Sequence, residues 1–130
     1  MKSDADAMLL CGRTVNVPSG ARDAGELPWN PHPAYEGVAL KHLVRGEDTQ
    51  GALSCHLVRL EPGKGLAGHI HEGQWELHEV LAGSGEAGVS GERLTYLPGV
   101  TTVVPQGVVH EVTAGPEGLI FFAKFFPALL

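Results

Sequence analysis

The chain is expected to be all-β. Eighteen glycines and nine prolines are scattered without a fixed period between short apolar runs, so turns recur all along its 130 residues. Several of those runs alternate in hydropathy or are β-branched throughout, and both features favour extended chain. The length suits one domain with one hydrophobic core and is too short for two.

Residues 1–34 read as an extended, irregular amino-terminal arm lying against the rest of the protein, which occupies residues 35–130. Leu27-Pro28-Trp29-Asn30-Pro31-His32-Pro33 holds three prolines, and the residue before each is pushed out of helical space. Trp29 reads as packing, with a lid over a ligand as the alternative, and His32 as a solvated loop residue. Tyr35–Arg45 and Ala52–Leu60 form a hairpin around the turn-rich Gly46–Gly51. Val38, Leu40, His42 and Val44 share one face, but both faces of the return strand are mixed, so parity does not identify the inner side. His42 and His56 are read first as hydrogen-bonded structural residues and second as ligands. Arg59 is a snorkelling surface residue, or an anion clamp if it points inward.

Glu61-Pro62-Gly63 turns the chain into the most informative stretch, Gly63–Gly83. His69 and His71 are two residues apart, which on a strand puts both imidazoles on one face. Glu76 follows after a bend at Gly73, and Leu77–Leu81 carries the chain onward as a strand. Two imidazoles and a carboxylate make an N,N,O donor set suited to a divalent first-row ion with open positions. His78, two residues beyond Glu76, faces the same way about 7 Å along. It is the candidate acid–base or metal-supporting residue, weighed against a barrel-lining histidine bonded to a neighbour. Trp75 adjoins the carboxylate at the bend and is the candidate substrate-stacking residue, with packing as the competing role. Glu79 and Glu111 have the opposite parity and are expected outside.

A glycine-punctuated hairpin over Ser84–Leu97, a β-branched strand at Val100–Val104, a strand at Val108–Thr113, a turn at Ala114–Gly118 and a last strand at Leu119–Phe126 complete the chain. The last strand is apolar on both faces apart from Lys124 and needs cover on both. A second subunit would supply it, giving a homodimer, or the strand is an edge lying under the amino-terminal arm.

The net charge of -6 argues against nucleic acid or an anionic membrane as partner, and no run is long enough to cross a bilayer. The first ten residues have too short an apolar run for a secretory signal, so the expected location is cytoplasmic, with Cys11 and Cys55 as free thiols.

These residues resemble the cupin family. Its first motif, G-x5-H-x-H-x3,4-E-x6-G, is matched by Gly63, His69, His71, Glu76 and Gly83. Its second, G-x5-P-x-G-x2-H-x3-N, is matched by Gly99, Pro105, Gly107 and His110, with Ala114 in place of the final Asn. The resemblance implies a double-stranded β-helix, or jelly-roll barrel, of two antiparallel sheets. It also implies one divalent transition metal, Fe, Mn, Ni or Zn, held by His69, His71, Glu76 and His110. The last of these is supplied by the resemblance alone. Three functions are compatible: a small metalloenzyme of dioxygenase, isomerase or lyase type acting on a small polar organic molecule, a non-catalytic sensor or carrier, and a barrel whose metal only ties strands together. Four protein donors leave coordination positions open, which favours the first.

Overall fold

The computed structural model describes residues 11–130. Its ten strands are β1 (Thr14–Val17), β2 (Gly20–Asp23), β3 (Asn30–Pro31), β4 (Val38–Val44), β5 (Ser54–Leu60), β6 (Gly65–His69), β7 (Trp75–Val89), β8 (Glu92–Tyr96), β9 (Thr101–Val104) and β10 (His110–Phe126). Every strand pair is antiparallel, and the whole is a jelly roll.

The two long strands explain the shape. β7 and β10 pair along nearly their full lengths, with a register break between Ala114 and Leu119. On one side of that break Leu119–Phe125 pairs with β5, and Glu76–Glu79 pairs with β9. On the other side His110–Thr113 pairs with β6, and Gly85–Val89 pairs with β8. Two sheets therefore share β7 and β10 and meet at a corner. Gly83 and Gly118 sit there with φ of 80° and 79°, and a Cβ on Gly83 would collide with the Gly118 carbonyl. The expected turn at Ala114–Gly118 is thus a bend inside one strand. A chain that only changes sheet uses the same glycine chemistry as one that reverses.

Between the sheets lies the main core, which includes Val38, Val58, Leu60, Val80, Tyr96 and Phe121. Burying each of these large apolar side chains is worth roughly 1.5–3 kcal/mol. A second apolar layer covers the outside of β4 and β5, where Ala24, Leu43 and Leu57 are buried against Leu27, Trp29 and Phe122. This outer layer is why both faces of β5 are apolar. The inner face is the one carrying His56, Val58 and Leu60. The outer layer also supplies cover for β10, which is a central strand between β5 and β7 and not an edge.

Residues 11–34 are more ordered than an irregular arm. β1 and β2 form a hairpin, and β3 adds to β4 with Asn30 opposite Leu40. Buried Lys41 donates to the carbonyls of Cys11 and Ala24 at 2.9 and 2.8 Å. Arg22 forms a bidentate pair with Asp48 at 2.9 and 2.7 Å. Arg59 lies over the Trp29 ring, 4.3 Å from its centroid, so its role is stacking on the outer wall and not clamping an anion inside. Cys11 and Cys55 are free. Among the described residues no helix is long and apolar enough to cross a membrane.

Candidate metal centre

Strand register places the first pair of candidate ligands. His69, the last residue of β6, is the direct cross-strand partner of His110, the first residue of β10, and their ring centroids are 4.1 Å apart. β6 ends there, so His71 stands just past the strand instead of on it. It nevertheless returns to the same side, with its ring 5.0 Å from His69 and 5.3 Å from His110. The Gly107 amide donates to the His71 carbonyl at 3.0 Å, which ties this bend to the loop leading into His110. Ring nitrogens of the three histidines lie within 4.8 Å of one another.

Glu76, 6% exposed on β7, completes the group. Its Oε1 lies 3.1 Å from His110 Nε2 and 3.6 Å from His71 Nε2. Glu76 Oε1 and His110 Nε2 are both buried and face each other, and neither has a hydrogen-bond partner outside that pair. A buried carboxylate and imidazole facing only each other leave lone pairs that a third group can engage. Donors about 2.1 Å from a shared metal stand about 3.0–3.5 Å apart; the Glu76–His110 separation of 3.1 Å falls in that range and the Glu76–His71 separation of 3.6 Å lies just outside it. His69 Nδ1–H donates to the Ala67 carbonyl at 2.8 Å, and His110 Nδ1–H to that of Val108 at 3.1 Å. In the neutral form of each ring Nε2 is left with its lone pair for a ligand role. The donor set of three imidazole nitrogens and one carboxylate oxygen fits a divalent first-row metal.

The other carboxylate oxygen is occupied. Glu76 Oε2 accepts from His78 Nε2–H at 2.7 Å, and His78 Nδ1 accepts from the Tyr96 hydroxyl at 2.8 Å. Burial alone would raise the Glu76 carboxyl, but His110 and His78 outweigh it and hold the group well below the usual carboxylate range. Burial lowers His69 and His71, so both rings are neutral near pH 7. For His110 burial also acts downward, and adjacent Glu76 more than offsets it.

A cavity of about 320 Å³ opens beside this group, with His69, His71 and Glu76 in its wall. His78, 2% exposed, is not in that wall. It stands behind the carboxylate with both nitrogens engaged, so it positions Glu76, and the acid–base reading is set aside. Trp75 is 48% exposed and lies outside the lining of this cavity. Glu79 pairs with Lys124 at 2.6 Å and Glu111 is exposed, both away from the cluster. His42 and His56 bond to each other through their Nδ1 atoms at 2.8 Å, as structural residues do. Two contributors were missed. His32 lines the cavity, where sequence reading made it a solvated loop residue, and Tyr96 supports His78. The only local signal for His32 was its place between two prolines, which fixes the backbone without saying what it faces.

A jelly roll with histidines and a carboxylate gathered on its inner wall defines a class, the small β-barrels with a histidine-rich interior. The family model described as "Cupin domain" matches residues 56–122, and the chain belongs to that family. No curated protein sequence matches the chain. Among solved structures, it is similar to a protein described as a predicted oxalate decarboxylase from Thermotoga maritima. That match has 23% identity and a TM-score of 0.72, covering 79% of this chain and 95% of the other. It is likewise similar to KdgF from Halomonas sp., with 22% identity, a TM-score of 0.69 and coverage of 79% and 88%. A third similar structure is a putative ethanolamine utilization protein from Salmonella typhimurium, with 18% identity, a TM-score of 0.71 and coverage of 90% and 94%. At these identities the likeness shows the fold.

Proposed function

We propose that the protein is a small metalloenzyme, of dioxygenase, isomerase or lyase type, acting on a small organic molecule at a divalent metal held by His69, His71, Glu76 and His110. The observation that carries this reading is the convergence of three imidazoles and the buried Glu76 carboxylate, with Glu76 Oε1 and His110 Nε2 facing each other at 3.1 Å, at the wall of an open cavity. An Fe, Mn, Ni or Zn ion would supply Lewis acidity toward a carbonyl or enolate oxygen, or electron exchange with dioxygen where the metal is Fe(II). The chain's own residues orient the donors. His78 holds one carboxylate oxygen so that the other is presented, and the Ala67 and Val108 carbonyls fix the ring orientation of His69 and His110. Apolar side chains line the rest of the cavity around the polar cluster. The adjoining cavity favours a ligand-accepting site over a closed structural one.

Metal analysis of protein purified without chelator, beside His71→Ala, tests the metal assignment. Near-stoichiometric metal in the parent and strong depletion in the variant are expected, whereas equal and negligible metal in both removes it. Oxygen uptake by the Fe(II)-loaded protein against diols and keto acids tests the oxygenase branch. Turnover supports it, and metal-dependent thermal shifts without turnover shift the reading to a ligand-binding barrel.

A further inference from the structure

The cavity is specific in what it lacks as well as in what it holds. Away from the polar cluster its wall is built from Leu40, Val58, Leu66, Phe121, Phe125 and Leu129. Among the described residues, no lysine or arginine contributes to it. The cationic side chains on the neighbouring strands are committed elsewhere: Lys41 to the Cys11 and Ala24 carbonyls, Arg59 to Trp29, and Lys124 to Glu79. With Glu76 as the one carboxylate, a divalent ion leaves the site one positive charge in excess. A single monoanionic head cancels that charge. A dianion, or a second charge on the ligand's body, would sit uncompensated against hydrocarbon.

His32 adds a polar group to the lining. It belongs to a held segment, because its amide donates to the Val38 carbonyl at 2.8 Å and the preceding β3 pairs with β4. Its Nδ1 accepts the Ala34 amide at 3.0 Å, and its ring packs on Tyr35, with centroids 4.8 Å apart. Tyr35 also lines the cavity. Burial lowers the His32 pKa, so the ring is neutral near pH 7 and carries its proton on Nε2. One N–H donor therefore remains on a rim that it shares with Tyr35.

Resting on the metal site proposed above, we infer that the cavity takes a ligand with an uncharged aromatic or branched aliphatic body and one monoanionic oxygen-chelating head, and that His32 contacts that body. A volume of about 320 Å³ accommodates a body on the order of ten non-hydrogen atoms.

Isothermal titration of the Zn(II)-loaded protein, with metal content measured first, decides this with four probes: acetohydroxamate, benzohydroxamate, 4-carboxybenzohydroxamate and oxalate. The first three share one monoanionic head and differ only in the body. Benzohydroxamate should bind about tenfold tighter than acetohydroxamate, and the added carboxylate should erase that gain. Oxalate should bind more weakly than benzohydroxamate. His32→Ala should weaken benzohydroxamate about fivefold, leaving metal content and acetohydroxamate affinity unchanged. Equal affinity for the two simple hydroxamates, or preference for either doubly charged probe, overturns the ligand class while the metal site stands. Unchanged benzohydroxamate binding in His32→Ala removes the histidine's assignment. Failure of the protein to take up metal overturns both the site and the ligand inferred from it.

Discussion

His78 Nε2 lies 2.7 Å from Glu76 Oε2, so one oxygen of the buried carboxylate is tied back while Oε1 faces His110 at 3.1 Å and His71 at 3.6 Å. The Tyr96 hydroxyl at 2.8 Å from His78 Nδ1 sets the tautomer that makes this possible. Partners of this kind typically contribute 10–100-fold to metal affinity. His78→Ala is therefore expected to weaken metal binding by about tenfold or more, and Tyr96→Phe by less, because it removes only the hydroxyl that orients His78. Competition against a chromophoric chelator measures both. Full affinity in His78→Ala would show that Glu76 needs no such support.

His56 gives the fold an acid sensitivity separate from the metal. Its side chain is 0% exposed, with His42 Nδ1 at 2.8 Å on one nitrogen and the Ser54 hydroxyl at 2.9 Å on the other. Burial, then His42 and Arg45, push its pKa from 6.5 down to about 4, against a smaller opposite pull from Glu76. The unfolded chain therefore takes up this proton before the folded one does. The stability involved is complete above about pH 6.5, falls as pH drops toward 4, and is constant below that. A depression of this size corresponds to about 3 kcal/mol. Urea midpoints measured from pH 4 to 7.5 should show the loss, and His56→Phe should flatten it. An unchanged slope in the variant would assign the acid sensitivity elsewhere.

Gly83 is where two demands meet. Its φ of 80° is costly for any residue with a Cβ, and that Cβ would strike the Gly118 carbonyl across the corner. Gly83→Ala should cost about 3 kcal/mol or more, since backbone cannot move aside as a side chain can. Gly99→Ala is the control, because it shares a positive φ, 94°, but a Cβ there meets nothing within 4 Å. Its expected cost is smaller by the steric part. Equal losses in the two variants would mean that the close approach adds nothing.

The chemistry-bearing residues were legible wherever short spacing fixes geometry. His69, His71 and Glu76 lie within eight residues of one another, and local chain direction brings them together. His110 required the second motif, because its partnership with His69 is a register between distant strands. His32 was illegible for the same reason taken further: β3 pairing with β4 sets its position, and two residues leave no periodicity to read. The inner face of β5 was hidden because Trp29, Leu27 and Ala24 make the outer face a second core. Where a surface is covered on both sides, alternation of polar and apolar residues disappears.

Lys41 is the peg that joins that outer layer to the barrel. It is 4% exposed, and its ammonium donates to two carbonyls, those of Cys11 and Ala24, far away in the chain. Trp29 stands over it with the ring centroid 5.3 Å from Nζ, so the charge also has an aromatic face. Lys41→Met keeps the apolar stem and deletes the donors, leaving carbonyls that must find water or remain unpaired at a cost of about 1–3 kcal/mol each. The expected result is faster amide hydrogen exchange confined to residues 11–27, with β5, β7 and β10 protected as before and metal content unchanged. Uniformly faster exchange across all strands would instead make Lys41 part of the global core, and the amino-terminal layer inseparable from the barrel.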